Sequence, residues 1–316
     1  RFRELGGLVR VAGDLAVARV GGMVTAEDVL AAMTNARSLE QQIADRQAEG
    51  NMAYKLFETT GSKIGQVNGL AALDPGNGMA EYSGIMLPIV AAVVPAHSKD
   101  GGRIIATGKL GEIAKEAVEN ISAVLKQITE GGMNKYDIHL EYIGTYEGVE
   151  GDSASVTMTT VILSAYYNIP IRQNVAMTGS LNVRGQVLPI GAATAKLEAA
   201  AGAGVTVGLV PVSNLKDVMI RKRFSDTMKV YGMTTYRDVA EYAFEDCPAK
   251  DELLKKLDYL NPEGSTAVPW VAPETVEIQV DDSEESAEPE PVEVVVEGPE
   301  IDEPLVEDTV PAEGAN

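Results

Sequence analysis

The chain has 316 residues, 45% of them hydrophobic, and much of its formal net charge of −21 comes from residues 261–316, which contain 17 of the 47 acidic residues and no lysine or arginine. The rest of the chain is nearly balanced in charge and has no basic stripe, which excludes the usual nucleic-acid-binding surfaces. A single cysteine (Cys247) and two distant histidines (His97 and His139) exclude an internal disulfide, a multi-cysteine zinc site and an HExxH motif, and no apolar run reaches the roughly 20 residues that span a bilayer.

Residues 1–50 are predicted to be helical. Leu8, Val11 and Leu15 recur at helical spacing. The stretch from Thr25 to Asp28 has the form of a capping box, which predicts the start of a second helix that runs to about residue 50. The chain begins without Met and without the regions of a signal peptide, so we interpret these helices as the end of one domain and a connecting helix within a longer protein.

Residues 51–260 are predicted to form one compact domain of mixed α and β structure. Short apolar or alternating runs indicate strands, and apolar residues at steps of three and four indicate helices. The predicted strands cover residues 62–73, 83–96, 102–108, 136–143, 173–183, 186–190 and 205–211. The predicted helices cover residues 113–128, 153–167, 192–204, 215–223 and 236–244. We assign this order to the α+β class.

Residues 261–316 are predicted to be a disordered acidic tail. Eight of the fifteen prolines of the chain lie here among acidic residues and valines. Such a segment buries too little apolar surface to offset the entropy lost on ordering. We therefore expect a solvated tail rather than a third folded domain.

Ser153 is a candidate nucleophile in the segment "TYEGVEGDSASVTMTT". It follows Gly151 and lies where a loop is predicted to become a helix. The free backbone N–H groups and the dipole of a helix N-terminus stabilise negative charge, such as the oxyanion of a tetrahedral acyl intermediate. The alternative interpretation is structural, with Ser153 or Asp152 acting only as a helix N-cap.

Lys196 is the candidate general base for Ser153. His139 lies in an alternating strand and His97 in a loop, and "GDSAS" lacks the final glycine of a GxSxG elbow. The remaining option is a lysine that burial makes neutral, and Lys196 is the only charged residue in "VLPIGAATAKL". The alternative is a surface lysine whose ammonium group reaches solvent from an alanine-rich helix.

Taken together, these motifs resemble a known family. "EGDSAS" is followed, 43 residues after its Ser153, by the lysine of "RGQVLPIGAATAK", and "AMTGSLNVRG" lies between the two. This combination closely resembles the Lon proteases, which are Ser-Lys peptidases. The sequences of the motifs are similar to those of the archaeal, membrane-anchored B-type branch. The resemblance covers roughly residues 1–250. It implies the Lon proteolytic fold (ribosomal protein S5 domain 2-like), preceded by helices from the end of an AAA+ ATPase module.

The resemblance also implies roles for individual residues. Ser153 is expected to be the nucleophile and Lys196 its base, and Thr178 matches the threonine that hydrogen-bonds the lysine in this family. Glu150 and Asp152 match acidic positions of the archaeal branch. A carboxylate near Lys196 would favour the charged amine, so these acids would mark a resting state that rearranges on activation. The alternative is that both are solvated loop acids that cap the helix.

For the whole protein, the resemblance implies an ATP-dependent endopeptidase that degrades unfolded or damaged proteins. It implies a homo-hexamer and a cytoplasmic location, with anchoring to the cytoplasmic face of the membrane through a segment outside this chain. "GGRIIATGKL" does not match the GxxxxGK phosphate loop followed by Ser or Thr. We therefore expect no cofactor or metal in this chain, and expect ATP and magnesium only in the full-length protein. The alternatives are a catalytically silent Lon-like assembly or binding module and, with less support, a nucleotide-binding regulator.

Overall fold

The structure is a computed structural model that describes residues 2–19, 23–35, 57–73, 83–97, 101–144 and 148–272. Its first two helices, α1 (Phe2–Ala18) and α2 (Ala26–Asn35), pack against each other. The predicted capping box is present, because the Asp28 carboxylate accepts a hydrogen bond from the Thr25 backbone N–H and the Thr25 hydroxyl accepts one from the Asp28 N–H. The predicted continuation of this helix to residue 50, and the boundary at residue 51, lie outside the described residues.

A mixed eight-stranded sheet forms the centre of the domain. Its strands are β2 (Gln66–Leu73), β3 (Ser83–Pro95), β4 (Ile104–Thr107), β5 (Tyr136–Tyr142), β7 (Val175–Met177), β10 (Val207–Pro211), β11 (Lys229–Met233) and β12 (Val268–Pro269). The strand order is β12-β11-β10-β7-β2-β3-β5-β4, with parallel β10–β11, β10–β7, β2–β7 and β4–β5 pairs and antiparallel pairs elsewhere. Two short antiparallel pairs join β1 (Ser62–Lys63) to β6 (Ile171–Arg172) and β8 (Ser180–Leu181) to β9 (Val187–Leu188). The predicted mixed α and β class is confirmed.

Helices cover both faces of this sheet. They are α3 (Glu112–Ile128), α4 (Ser155–Tyr167), α5 (Ala193–Gly202), α6 (Lys222–Ser225), α7 (Tyr236–Ala243) and α8 (Pro248–Leu257). Side chains alternate between the faces, so that Val175 and Met177 of β7 belong to the core containing α3 and α4, whereas Ala176 belongs to the core containing α5. Helices α4 and α5 therefore lie on opposite faces of the sheet.

Helix α4 is buried along its first ten residues, from Ser155 to Ser164. Five of these ten residues are serine or threonine, and their hydroxyl groups donate to backbone carbonyls. For example, Thr157 donates to Met177 at the end of β7, and Thr160 donates to Val156 one turn earlier in the helix. These bonds satisfy the buried polar groups without charges. The helix can therefore place its N-terminus, and Ser153 just before it, against the end of β7.

Several sequence predictions need correction. The segment 215–223 is not one helix, because it is divided into a 3₁₀ turn (Val212–Asp217) and α6, with extended backbone at Val218. The predicted strand 173–183 is interrupted between β7 and β8. Strands β11 and β12 and helix α8 were not predicted, because their apolar runs are short.

The predicted disorder is wrong for residues 261–272. Strand β12 pairs with β11 at the sheet edge, and the Trp270 N–H donates to the Val230 carbonyl at 2.8 Å. The Asp238 carboxylate, fully buried, accepts hydrogen bonds from the Thr266 N–H at 2.8 Å and the Ser265 hydroxyl at 3.2 Å. The amino-acid composition of the tail gives no indication of these specific contacts. Residues 273–316 lie outside the described part, and their predicted disorder stays a prediction.

Candidate active site

Ser153 lies in the turn before α4, at the point where β7 ends. Its carbonyl accepts hydrogen bonds from the Gly179 N–H at 2.8 Å and the Thr178 hydroxyl at 3.2 Å. The Gly179 carbonyl in turn accepts the Val156 N–H of α4 at 3.1 Å. These bonds fix the backbone of Ser153 to the segment between β7 and β8. The predicted position of Ser153, between a loop and a helix N-terminus, agrees with the structure.

Lys196 lies in α5 on the other face of the sheet, and a close approach of backbones positions it. A Cβ atom built on Gly84 of β3 would lie 2.0 Å from the Ala195 carbonyl oxygen and 2.8 Å from the backbone nitrogen of Lys196. Only glycine allows this approach, because any side chain at residue 84 would push α5 away from the sheet. Gly84 was not predicted from the sequence, because no local pattern distinguishes it from other strand glycines.

We predict that Gly84→Ala displaces α5 and impairs the site, at a stability cost of about 1–3 kcal/mol for overpacking. Gly191 is the matched control, since it precedes the same helix, has open space around its Cα and does not have positive φ. Chemical denaturation and peptide-cleavage assays would compare the two variants. Equal behaviour of Gly84→Ala and Gly191→Ala would contradict a positioning role for Gly84.

The two candidate catalytic side chains meet where β7 ends. Nζ of Lys196 lies 3.0 Å from Oγ of Ser153 and 3.3 Å from Oγ1 of Thr178. The Lys196 residue is 4% exposed and Thr178 is 1% exposed. Since the Thr178 hydroxyl donates to the Ser153 carbonyl, its oxygen is oriented to accept from the amine. The structure thus brings together Ser153, Lys196 and Thr178.

Burial of Lys196 disfavours its charged form and lowers its pKa to about 8, while the negative charge of Asp152 acts in the opposite direction. A lysine with its ordinary pKa is almost wholly protonated at neutral pH and cannot accept a proton. A value near 8 leaves about a tenth of the amine neutral at pH 7. The site therefore supplies a usable base next to the Ser153 hydroxyl.

The two acids near Ser153 occupy different positions. The Asp152 carboxylate accepts a hydrogen bond from the Ser180 hydroxyl. Glu150 turns towards the N-terminus of α3, where its carboxylate accepts the Ile113 N–H at 3.0 Å. Only Asp152 acts on the pKa of Lys196. For Glu150 the structure favours the capping interpretation, although the capped helix is α3 and not the helix that follows Ser153.

Within the described ranges, no group of three or more His, Cys, Asp or Glu side chains is arranged to bind a metal ion. In the same part of the chain, no helix has the length and apolar character needed to cross a membrane.

A serine hydroxyl at hydrogen-bond distance from a buried lysine of low pKa is the arrangement found in Ser-Lys hydrolases. Residues 35–246 match the family described as Lon protease (S16) C-terminal proteolytic domain. The chain therefore belongs to the Lon protease family, and the matched part is its proteolytic domain, a serine-type peptidase domain.

Relatives agree with this assignment. The chain is 53% identical over 257 residues to the archaeal Lon protease of Thermoplasma volcanium, which covers 81% of this chain and 39% of that protein. It is 51% identical over 257 residues to the archaeal Lon protease of Thermococcus kodakarensis, covering 81% of this chain and 40% of that protein. It is 32% identical over 215 residues to the Lon protease of Haemophilus influenzae, covering 65% of this chain and 25% of that protein. The chain thus spans about two fifths of the length of these two archaeal relatives.

Proposed function

We propose that this chain is the proteolytic part of an ATP-dependent Lon-type endopeptidase in which Ser153 is the nucleophile and Lys196 the general base. The observation that carries the proposal is the 3.0 Å distance between Nζ of buried Lys196 and Oγ of Ser153. Thr178 supports the pair by accepting from the amine, which fixes the direction of the lysine side chain. The substrates we propose are unfolded or damaged protein chains.

In the proposed reaction, Ser153 Oγ attacks the carbonyl carbon of the scissile peptide bond while neutral Lys196 accepts the hydroxyl proton. The tetrahedral intermediate collapses when Lys196 returns this proton to the leaving amine nitrogen, which breaks the C–N bond and leaves an ester on Ser153. Water then attacks the ester while Lys196 accepts a proton from it. Lys196 returns this proton to Ser153 Oγ as the ester C–O bond breaks, which releases the carboxylic acid product and regenerates Ser153.

Backbone N–H groups next to Ser153 support the stabilisation of the oxyanion. The N–H groups of Ser153 and Ala154 precede the first turn of α4, where helical backbone leaves donors without intrahelical partners. No acceptor among the described residues bonds to either of them. Donors fixed before the reaction are the most effective way to stabilise developing negative charge.

The test is covalent labelling of Ser153 with a fluorophosphonate probe, combined with cleavage of an unstructured protein. We expect the chain to be labelled at Ser153 and expect Ser153→Ala to abolish both labelling and cleavage. Ser62→Ala, which removes an exposed hydroxyl on β1, is the matched control and should behave as the wild type. A folded chain that is neither labelled nor active would support the silent assembly module instead.

We propose that ATP and magnesium bind elsewhere in the full-length protein. The segment 101–110 contains β4 and leads towards α3. A phosphate would have to bind at the N-terminus of α3, but the Glu150 carboxylate already occupies that position. The residues present therefore do not fit a nucleotide phosphate, and no catalytic step of this chain is routed through one.

We also propose, from membership of the family, a homo-hexamer in the cytoplasm that is anchored to the cytoplasmic face of the membrane by a segment outside this chain. Sedimentation of the full-length protein and its partitioning with membranes would test both points. A monomer at assay concentrations, or a protein found only in the soluble fraction, would contradict the respective part.

A further inference from the structure

Ser180 lies two residues after Thr178, at the start of β8, and is 4% exposed. Its hydroxyl donates to Oδ2 of Asp152, the residue immediately before the candidate nucleophile. No role for Ser180 was predicted from the sequence, although it lies within the motif "AMTGSLNVRG". The bond joins the strand that follows Thr178 to the loop that carries Ser153.

Asp152 is the acid that matters for the charge state of Lys196. Strands β2, β3 and β10, which pack against α5, carry no charged residue. The other packed elements carry Lys216, Asp217, Lys222 and Arg223, and α5 itself carries Glu198, which pairs with Arg221. None of these charges acts on the Lys196 amine, whereas the charge of Asp152 does.

The Asp152 carboxylate nevertheless forms no ion pair with Lys196. Among the described residues, no basic nitrogen lies within 4.0 Å of its oxygens. A buried ammonium group is a stronger partner for a carboxylate than a neutral hydroxyl is. A specific contact must therefore hold the Asp152 carboxylate at Ser180 and away from Lys196.

We propose that Ser180 is a positioning residue that binds the Asp152 carboxylate and keeps it outside ion-pair distance of Lys196, so that the lysine can lose its proton. The proposal rests on the proposed function of Lys196 as the base. In the described part of the structure, the Ser180 hydroxyl bonds to Asp152 and to neither Ser153 nor Lys196, so it acts through Asp152. Without its hydroxyl, the carboxylate is free to pair with the ammonium group, and that pair favours the charged form.

The experiment measures the ionisation of Lys196 in two ways. Peptide-cleavage rates against pH give the kinetic pKa, and ¹³C NMR of lysine-labelled protein, with Lys196 assigned from Lys196→Met, gives the titration without any need for activity. We expect Ser180→Ala to raise both values by about one unit or more, which is the usual effect of an opposite charge at 4–6 Å. Cleavage at pH 7 should fall about tenfold per unit and recover at alkaline pH.

Two comparisons separate this role from a merely structural one. In Asp152→Asn protein, Ser180→Ala should no longer change the pKa of Lys196, because no carboxylate remains to be positioned. Ser155→Ala is the matched control, because the Ser155 hydroxyl donates to the backbone carbonyl of Asp152 and not to its carboxylate. We expect this control to leave the pKa unchanged. Ser180→Cys, which is closest in size and a weaker donor, serves if Ser180→Ala does not fold.

An unchanged or lowered pKa in Ser180→Ala, or a shift that persists in the Asp152→Asn background, would overturn the proposal. Failure of the proposed function gives a different result. An inactive wild-type chain has no kinetic pKa, yet the NMR titration of Lys196 still shows whether Ser180 controls Asp152.

Discussion

Lys196→Arg is expected to abolish cleavage of an unstructured protein, with a loss of about 10⁴-fold or more in kcat/KM. The guanidinium group keeps its proton at every accessible pH, so it cannot accept the Ser153 proton although its length is similar. Circular dichroism would show that the variant folds, and burst titration with an activated ester would show whether Ser153 still acylates. An active Lys196→Arg enzyme would mean that another residue is the base.

The pH profile of the wild-type enzyme follows from the same chemistry. Burial lowers the pKa of Lys196 to about 8, and only the neutral amine can accept a proton in the proposed reaction. The rate should therefore be low below that pH, rise as the pH passes through about 8, and level off above it. A rate that falls as the pH rises through this range would contradict the assignment of a lysine base.

The proximity of Ser153 and Lys196 could be predicted from the sequence because two separate motifs match those of one family at a similar spacing. Nothing local places Ser153 beside Lys196, since each residue alone has a more ordinary interpretation. The structure supplies the reason for their meeting, which is that α4 and α5 approach the end of β7 from opposite faces of the sheet. Thr178 was predicted from the resemblance, and its position between the two follows from the turn that ends β7.

Other parts of the site could not be predicted, because they depend on contacts between residues distant in sequence. Glu150 caps a helix that begins 38 residues earlier, at Glu112. Gly84 matters only because α5 crosses β3 at that residue, 111 positions before Ala195. No hydrophobic period or local propensity contains such information, which arises only when the sheet order is known.

The tail shows the same difference between composition and contact. Its acidic and proline-rich composition begins at residue 261, but residues 261–272 are part of the compact unit that the structure describes. Asp238 explains why. Its fully buried carboxylate accepts hydrogen bonds from the backbone N–H groups of Thr234 and Thr235, at the start of its own helix, both at 2.9 Å. It also accepts a hydrogen bond from the Thr266 N–H in the tail, at 2.8 Å.

Truncation after Leu260 is therefore expected to destabilise the domain by about 3–5 kcal/mol, which is a fall in melting temperature of roughly 10 °C. The truncation removes the Thr266 and Ser265 donors from the buried Asp238 carboxylate, and it removes Trp270 from the core that contains Leu197, the residue after Lys196. A buried carboxylate that loses part of its hydrogen-bond donors and a lost aromatic contact both belong to the costly classes of change.

Truncation after Ala272 is the matched control, because it removes only the acidic segment 273–316 and leaves every described contact of the tail in place. Its melting temperature should stay within about 2 °C of the full chain, since the removed segment has the composition of a solvated tail. Asp238→Asn in the full chain should reproduce part of the loss. Combined with truncation after Leu260, it should add less than its separate effect, because both changes remove the same hydrogen bonds. Equal melting temperatures for the two truncations would show that residues 261–272 contribute nothing to the stability of the domain.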